Sequence, residues 1–234
     1  MKKIAIMQPY FVPYIGYFQM IKAVDVFVFY DDVNFMKSGW VNRNRVLVNN
    51  EAKYLTVPLI GSSSNKLIND IEVRKDSKEF LNLHKILYQN YSKAPYFENV
   101  LPIINLILQD NPETISQLAI KSIISICEYL KIKTQFKVSS VDFINSKGLK
   151  RTERLLDICE KSQADQYINA IGGVELYDKK DFSDRKITLS FIKSQSITYK
   201  QFSNDFIPWL SIIDVLVFNS IEEINVMVDQ YELI

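Results

Sequence analysis

The sequence predicts an α/β protein built on a mostly parallel, doubly wound sheet, with a helical insertion or a helical covering layer. The first observation is a strand, loop, helix and strand within about the first 30 residues, the pattern of a βαβ unit. The second is that strands and helices alternate again after a long helical block. The third is a composition of 47% hydrophobic and 24% charged residues over 234 positions, which is typical of a packed core.

The N-terminal βαβ unit begins with "KKIAIM", an apolar run that predicts a buried strand and ends at Gln8 and Pro9. Apolar residues at helical spacing follow in "YIGYFQMIKAV". "DVFVFYDDV" then returns to a strand that ends in two carboxylates. We expect the two strands to be parallel and joined by a right-handed crossover.

The middle of the chain predicts a hairpin and then a helical block. "RVLVNN" and "AKYLTVPL" should pair around a turn at Asn49 and Asn50, and a polar loop with a short strand follows. Three helices are expected between Lys78 and Leu130. We assign them to a helical subdomain at 75–132 within one α/β domain of 1–234. The alternative is that these helices are the layer that covers the sheet.

The C-terminal part restores the alternation that is typical of a Rossmann-like fold. We expect strands in "QFKVSSVDF", "ADQYINAIGG", "KITLSFI" and "SITYKQF", and helices in "KRTERLLDICEKS", "WLSIIDVLVFN" and "IEEINVMVDQY". Ligands of such sheets bind at the carboxyl ends of the strands. The sheet should therefore gather residues that are distant in sequence: Gln8, Pro9, Tyr10, Tyr30, Asp31, Asp32, Asn169, Gly172 and Gly173.

Bulk properties exclude several classes of protein. A net charge of +1 gives no general argument for nucleic-acid binding. The apolar runs are too short for a signal peptide or a membrane span, so we expect no membrane association and a cytoplasmic location. Cys127 and Cys159 lie in apolar helical patterns and are expected to be buried free thiols.

The densest polar stretch, "YDDVNFMKSGWVNRNRV", predicts a binding or catalytic site. Asp31 and Asp32 could bind a cation, orient a ribose or act as a base. Cationic, amide and indole groups that could hold phosphate or carboxylate and stack on a ring follow them: Lys37, Trp40, Asn42, Arg43, Asn44 and Arg45. The alternative is an exposed strand edge whose charges prevent pairing with another sheet.

Candidates elsewhere are more isolated. His84 is the only histidine, which excludes the usual catalytic triads and multi-histidine metal sites but leaves a single general base. We assign no residue to a metal. Lys93 and Tyr96 form a second basic and aromatic cluster, and the amides of Gly172 and Gly173 could cradle an anion. The P-loop and the full dinucleotide fingerprint are both missing from the sequence.

Five segments in this order resemble the WbqC-like family: "MQPYFVPYIGYFQMI", "DVFVFYDDVNFMKSGWVNRNRV", "SKAPYF", "KRTERLLDIC" and "WLSIIDVLVFN". The resemblance runs from Met7 to Asn219. Ser211 and Asp214 match positions common in the family, one helical turn apart, where they could face the site. Asn169 and Ala170 stand where the family more often has Ser-Gly.

The resemblance implies a transferase of O-antigen or surface-polysaccharide synthesis that moves glycine or a related acyl group onto a nucleotide-linked amino sugar. Gln8, Tyr14, Gly16 and Tyr17 would form the nucleotide edge, with Asp31, Asp32, Asn42 and Arg43 on the acceptor or phosphate side. Asp32 or His84 would be the base, and Asn44 or Arg45 would stabilise the oxyanion. The acyl donor stays open between a free amino acid with ATP and Mg²⁺, a carrier thioester and aminoacyl-tRNA.

A second likeness concerns the loop before the first helix. It is similar to the His-x-Gly-His turn of nucleotidylyltransferases and class I aminoacyl-tRNA synthetases, with Tyr14 and Tyr17 in the histidine places around Gly16. Glycine there would let a purine ring approach the backbone. Nucleotidyl or adenylyl transfer is therefore an alternative function, and a non-catalytic module that binds a sugar nucleotide is another.

Overall fold

The computed structural model describes residues 1–109, 112–203 and 205–234. Six of its strands form the main sheet and four form two small antiparallel sheets. In chain order the strands are β1 (Lys3–Met7), β2 (Val26–Phe29), β3 (Arg43–Val48), β4 (Glu51–Thr56), β5 (Leu59–Ile60), β6 (Glu72–Val73), β7 (Gln135–Val138), β8 (Gln166–Ala170), β9 (Thr188–Ser194) and β10 (Tyr231–Leu233).

The main sheet has the strand order β10-β9-β8-β1-β2-β7. All neighbours are parallel except β10, which runs antiparallel to β9 at one edge. The chain moves from β1 through β2 to β7 on one side and then through β8 and β9 on the other. This is the Rossmann order, with its switch point between β1 and β8. The predicted fold class is confirmed, and so is the parallel pairing of the first βαβ unit.

Helices are described at nine places in these parts of the chain: α1 (Ile15–Lys22), α2 (Lys78–Tyr91), α3 (Phe97–Gln109), α4 (Ile115–Tyr129), α5 (Ser139–Asp142), α6 (Arg151–Lys161), α7 (Lys179–Ser183), α8 (Ile212–Phe218) and α9 (Ile221–Met227). Side chains from α1 to α4, α8 and α9 pack on one face of the sheet. Side chains from α6 and α7 pack on the other.

The central strands are apolar throughout because both faces of the sheet are covered. In β2, Phe27 and Phe29 point into the larger core, while Val26 and Val28 point into the smaller one. This alternation follows from the two-residue period of a strand. Because the side chains on both faces are buried, the sequence of these strands is a continuous apolar run without alternating polar residues.

The helical block packs into the same core as β1 and β2. Thr114 and Gln117 form a capping box at the start of α4. The division of the chain at 75 and 132 stays a prediction, and residues 110 and 111 of that block lie outside the described residues.

The hairpin of β3 and β4 is confirmed, with its turn at the predicted residues. Asn49 and Asn50 have φ angles of 53° and 59°. Positive φ at both central residues is the requirement of a type I′ turn, and asparagine tolerates it better than most residues.

Two strand predictions are wrong, and three short elements were not predicted. The segment "SITYKQF" is not a strand, and the strand of "QFKVSSVDF" ends at Val138, just before α5. The carboxylate of Asp142 accepts the N–H of Val138 at 2.7 Å, and Gln201 and Asp214 organise the other segment, as described below. The helices α5 and α7 and the edge strand β10 were not predicted, since each has too few residues to show a period. Within the described residues, no helix is long and apolar enough to cross a membrane.

Candidate functional site

A cavity of about 370 Å³ lies at the switch point, between the carboxyl ends of β1 and β8. Gln8 follows β1, and Gly172 and Gly173 follow β8, so the sheet brings these predicted residues together. Tyr30, at the end of β2, and Asn169, in β8, line the same cavity. Its place fits the rule that ligands of doubly wound sheets bind at the switch point.

Two further cavities, of about 280 Å³ and 230 Å³, continue from the first: the second shares a wall with the first, and the third shares a wall with the second. Tyr10 lines both the first and the second cavity, while Tyr14 and Trp209 line both the second and the third. We call the three together the switch-point groove. Polar and aromatic side chains that line the groove include Gln8, Tyr10, Tyr14, Tyr30, Trp40, Asn44, Arg45, Asn169, Tyr177, Tyr199 and Trp209.

Arg45 carries the single formal charge among the described residues that line the switch-point groove. Its Nη2 donates to the carbonyl of Trp209 at 3.0 Å, which holds the guanidinium beside the groove. Its Nε is buried and has no hydrogen-bond partner among the described residues. Buried N–H groups normally have a hydrogen-bond acceptor, and here a ligand atom could be that acceptor.

Flat rings surround Arg45. Trp209 is 62% exposed and Trp40 is 40% exposed, which is unusual for such large apolar side chains. The ring of Tyr14 meets that of Trp209 edge-on, with the centroids 6.0 Å apart. Rings with one free face suit stacking against a base or the apolar face of a sugar.

The phenols of the groove are neutral at ordinary pH. Burial raises the pKa of Tyr10 and of Tyr14 above that of free tyrosine. Burial also raises the pKa of Tyr30, against the opposing effect of Arg154. These hydroxyls can donate and accept hydrogen bonds, but they do not supply a negative charge.

The loop between β1 and α1 is strained at Val12, whose φ is 38°. A β-branched residue seldom adopts positive φ, and three buried side chains hold it there. Asn44 Nδ2 and Ser211 Oγ donate to the Val12 carbonyl at 3.0 and 2.7 Å, and the Val12 N–H donates to Ser122 Oγ at 3.2 Å. Strain of this kind tends to occur at functional sites.

Gly16 and Tyr17 shape the same loop from within. A Cβ on Gly16 would lie 2.3 Å from Cε2 of Tyr14 and 2.7 Å from Oγ of Ser194, so the space beside this glycine is occupied by the Tyr14 ring. The buried Tyr17 donates its hydroxyl to the Gln8 carbonyl at 2.8 Å. Of the two tyrosines in the histidine places, Tyr14 lines the groove and Tyr17 supports the loop.

The two neighbouring carboxylates have different partners. Asp32 forms a buried ion pair with Arg154, with 2.5 Å between Oδ2 and Nη2. The guanidinium of Arg154 also lies over the ring of Tyr30, 4.8 Å from its centroid. Asp31 accepts hydrogen bonds from Ser140 and from other serines and lines a separate cavity. The structure thus places Asp32 behind the groove, where Arg154 engages it.

Asp214 is fully buried and organises the segment that carries Trp209. It accepts hydrogen bonds from Tyr91 at 2.8 Å, from Tyr199 at 2.6 Å and from Gln201 at 2.8 Å. Gln201 in turn bonds both the N–H and the carbonyl of Ile207. Ser211 caps α8 and, like Asp214, supports the wall of the groove from behind.

Other predicted residues lie outside the lining of the groove. Arg43 donates to the carbonyls of Ser38 and Gly39 and stacks on Tyr54. Asn42 donates to the Val57 carbonyl at 2.9 Å. These bonds fix the loop that carries Trp40.

The remaining candidates are on the surface of the helices and loops. Lys37 and Lys93 are exposed, and Tyr96 is half-buried at the connection between α2 and α3. His84 lies on α2, where its ring stacks on that of Tyr88 with the centroids 6.4 Å apart.

Tyr30 was expected at this edge from its place after the second strand, whereas three residues of the site were not found from the sequence: Ser122, Arg154 and Trp209. A signal existed for Arg154, which lies on the apolar face of α6 with Leu155 and Ile158. A charge on the buried face of a helix points to a buried partner. The sequence carries no comparable signal for Trp209, since its exposure depends on the tertiary position of an irregular segment.

The described residues offer no thiol nucleophile and no cluster of three or more potential metal ligands. Both cysteines are free and buried, as expected. Burial raises the pKa of Cys159 to about 12 and that of Cys127 further. Neither thiol therefore forms a thiolate at neutral pH.

The fold and the groove first define a class: an α/β protein of Rossmann strand order with a ligand-sized groove at its switch point. The chain belongs to the WbqC-like protein family, whose profile matches residues 8–226. The uncharacterized protein Rv1507c of Mycobacterium tuberculosis is 30% identical over 220 residues, which cover 92% of this chain and 93% of that protein. No solved structure matches the chain significantly.

Proposed function

We propose that the protein is a transferase that binds a nucleotide-linked amino sugar in the switch-point groove and transfers glycine or a related acyl group to its amine. The product would enter the synthesis of O-antigen or another surface polysaccharide. We place the reaction in the cytoplasm, where ATP is available. The observation that carries the proposal is a groove with one formal positive charge, Arg45, between exposed aromatic rings.

The groove matches the parts of such a substrate. A sugar nucleotide has a flat base, an anionic diphosphate and a sugar with an apolar face. Arg45 suits the diphosphate because a guanidinium bonds phosphate oxygens in a forked geometry. Trp209 and Trp40 suit the base or the sugar. The first cavity, between Gln8 and Gly173, lies where related folds hold a nucleotide.

In the proposed reaction, the groove accelerates acyl transfer by aligning the amine with the acyl donor rather than by supplying a strong base. The amine nitrogen, in its neutral form, attacks the acyl carbon of an adenylate or thioester, and a C–N bond forms. The bond to AMP or thiolate breaks, and the leaving group takes the electron pair. The amine proton passes to solvent or to the leaving group. Alignment of two bound reactants supplies much of the acceleration of such a step.

Hydrogen-bond donors can stabilise the oxyanion that develops on the acyl oxygen. Arg45 and the hydroxyl of Tyr10 are the candidates in the middle cavity. We no longer assign Asp32 the role of the base, because its carboxylate is paired with Arg154; in this proposal it holds Arg154 against Tyr30.

The experiment incubates the protein with UDP- or dTDP-linked amino sugars, ATP, Mg²⁺ and glycine, or with a pre-formed glycyl donor, and follows the mass of the sugar nucleotide. We expect the mass of one glycyl group to be added. The same sugar with a hydroxyl in place of the amine should not react. Pyrophosphate release without an acylated product would favour nucleotidyl or adenylyl transfer instead. Binding without any product across the panel would favour a non-catalytic module.

Variants test whether the groove is the binding site. Arg45→Met should weaken binding of the sugar nucleotide about tenfold or more, because a charged hydrogen bond is lost. Arg185→Met is the matched control, since it removes one positive charge from exposed pairs with Glu153 and Glu160 on α6. Equal affinities for both variants, measured by calorimetry, would exclude the groove as the site.

A further inference from the structure

A separate cavity of about 730 Å³ lies at the carboxyl ends of β2 and β7. It shares no lining residue with the switch-point groove. Its lining combines polar side chains with five aliphatic ones, which are Ile120 and Ile124 from α4, Leu106 from α3, Val138 from β7 and Val141 from α5. This volume lies within the range of small-molecule sites, about 300–1,000 Å³.

A buried carboxylate without a cation lies in the wall of this cavity. Asp31 is 3% exposed and accepts hydrogen bonds from neutral donors. These are the N–H of Ser140 at 3.1 Å, its hydroxyl at 2.8 Å, and the hydroxyl of Ser116 at 3.2 Å. The single proton of the Ser139 hydroxyl has its shorter contact with Asp32. No ion pair to Asp31 occurs among the described residues, whereas the adjacent Asp32 has Arg154. Buried charges normally have a charged partner.

A second acceptor in the lining of the same cavity has no donor. Asn69 lines the cavity, and its Oδ1 is buried without a hydrogen-bond partner among the described residues. The Asn69 N–H donates to the backbone carbonyl of Asp31 at 3.0 Å, which holds the two residues together. A carboxylate without a cation and an amide oxygen without a donor, both in the lining of one cavity, favour a cationic donor as the ligand group.

We propose that this cavity binds a small molecule with a protonated primary amine and an aliphatic body. The ammonium group has three N–H donors and one positive charge. It would bond the Asp31 carboxylate and Oδ1 of Asn69, while the aliphatic part packs between Ile120, Ile124 and Val141. Lys121 and Glu128, one charge of each sign, also line this cavity, and Glu128 is exposed. Such binding does not depend on acyl transfer in the groove.

The experiment titrates the full chain with n-hexylamine, 1-hexanol and leucine and measures binding by calorimetry. Hexylamine and hexanol differ in the charged group but have the same chain. We expect saturable binding of hexylamine, with hexanol at least about tenfold weaker because it cannot pair with a carboxylate. Tighter binding of leucine than of hexylamine would identify an amino acid as the source of the amine. Equal binding of hexylamine and hexanol, or no saturable binding of either amine, would overturn the proposal.

Two variants locate the binding. Asp31→Asn should weaken hexylamine binding about tenfold or more while keeping an oxygen for Ser140. Ile124→Trp should block hexylamine binding by filling the cavity. It leaves the hydrogen bonds of Asp31 in place, so it tests the site even if Asp31→Asn does not fold. Glu128→Gln, which removes an exposed negative charge from the same cavity, should change the affinity by less than about threefold. Wild-type affinity in folded Asp31→Asn or Ile124→Trp would contradict the site.

Discussion

At the scale of single residues, the ion pair of Arg154 and Asp32 is the most deeply buried pair of charges described in the protein. The two side chains are 6% and 1% exposed. Their attraction offsets the cost of removing both from water only while both are present. Nε of Arg154 is also buried and has no partner among the described residues. The pair therefore holds Tyr30 at the switch-point groove, but its net contribution to the stability of the fold is small.

The first prediction concerns the loss of one member of this pair. Arg154→Met should lower the free energy of unfolding by about 3–5 kcal/mol, because it leaves an uncompensated buried carboxylate. Urea unfolding followed by circular dichroism measures this. Glu153→Gln on the same helix removes an exposed pair with Arg185 and should leave the urea midpoint unchanged within error.

The double variant Asp32→Asn, Arg154→Met adds a check on the cause. It should be less destabilised than the sum of the two single variants, because neither charge is then left alone. Additive losses, or a loss for Arg154→Met no larger than that for Glu153→Gln, would show that the pair does not stabilise the fold in this way.

At the scale of elements, the hairpin of β3 and β4 positions Asn44 and Arg45, which line the groove. Its register depends on the type I′ turn at Asn49 and Asn50, both with positive φ. A shift by one residue would move Arg45 to the other face of the ribbon. The conformation of two exposed asparagines thus fixes the register of the hairpin and, through it, the position of Arg45 in the groove.

The second prediction tests this turn. Asn50→Gly should raise the free energy of unfolding by a few tenths to about 1 kcal/mol, because glycine adopts positive φ without a steric cost. Asn50→Ala should lower it by about 1 kcal/mol, since alanine is strained in that region. Both variants lose the same amide, so thermal unfolding of the pair isolates the effect of φ. Equal stabilities would show that the turn does not require positive φ.

Elements were predictable from the sequence where they carry their own pattern. The strands β1 and β2 are continuous apolar runs, the helices α2 to α4 are long enough to show a helical period, and the Asn-Asn turn has a local rule. The segment 195–211 has no such rule. Side-chain bonds of Gln201 and Asp214 determine its path, and β10 is only three residues long.

The candidate site was predictable in position but less so in roles. The sheet topology alone places Gln8, Tyr10 and Gly173 at one edge. It does not say which of two adjacent carboxylates meets Arg154, which is 122 residues away from Asp32. Roles of this kind depend on long-range contacts that a single sequence does not display.

At the scale of the whole molecule, two cavities of different character flank the carboxyl end of β2. Tyr30 lines the switch-point groove, and the next residue, Asp31, lines the separate cavity of about 730 Å³. The groove has the positive charge of Arg45 and aromatic rings, while the other cavity has the buried carboxylate of Asp31 and five aliphatic side chains, with Glu128 and Lys121 also in its lining. Two adjacent residues of the chain thus belong to the two sites that we propose for an anionic and a cationic ligand.

Asp214 joins three parts of the molecule, since Tyr91 belongs to α2, Asp214 to α8, and Tyr199 and Gln201 to the segment that carries Trp209. Tyr91 also accepts the N–H of Leu47 in β3 at 2.8 Å. Burial raises the pKa of Asp214 above its usual value, although the three hydrogen bonds act in the opposite direction. The folded protein therefore holds this proton more tightly than the unfolded chain does.

The last prediction is the pH dependence that follows from Asp214. Because the folded pKa is the higher one, its contribution to stability is fully present below the ordinary carboxyl pKa and is lost as pH rises through the folded pKa, by about 1.4 kcal/mol for each pKa unit of elevation. Asp214→Asn cannot titrate, so the stability advantage of the wild type over this variant should shrink between pH 4 and pH 7. Urea unfolding of both proteins across this range measures the difference, and an advantage that grows with pH would mean that the three donors outweigh burial.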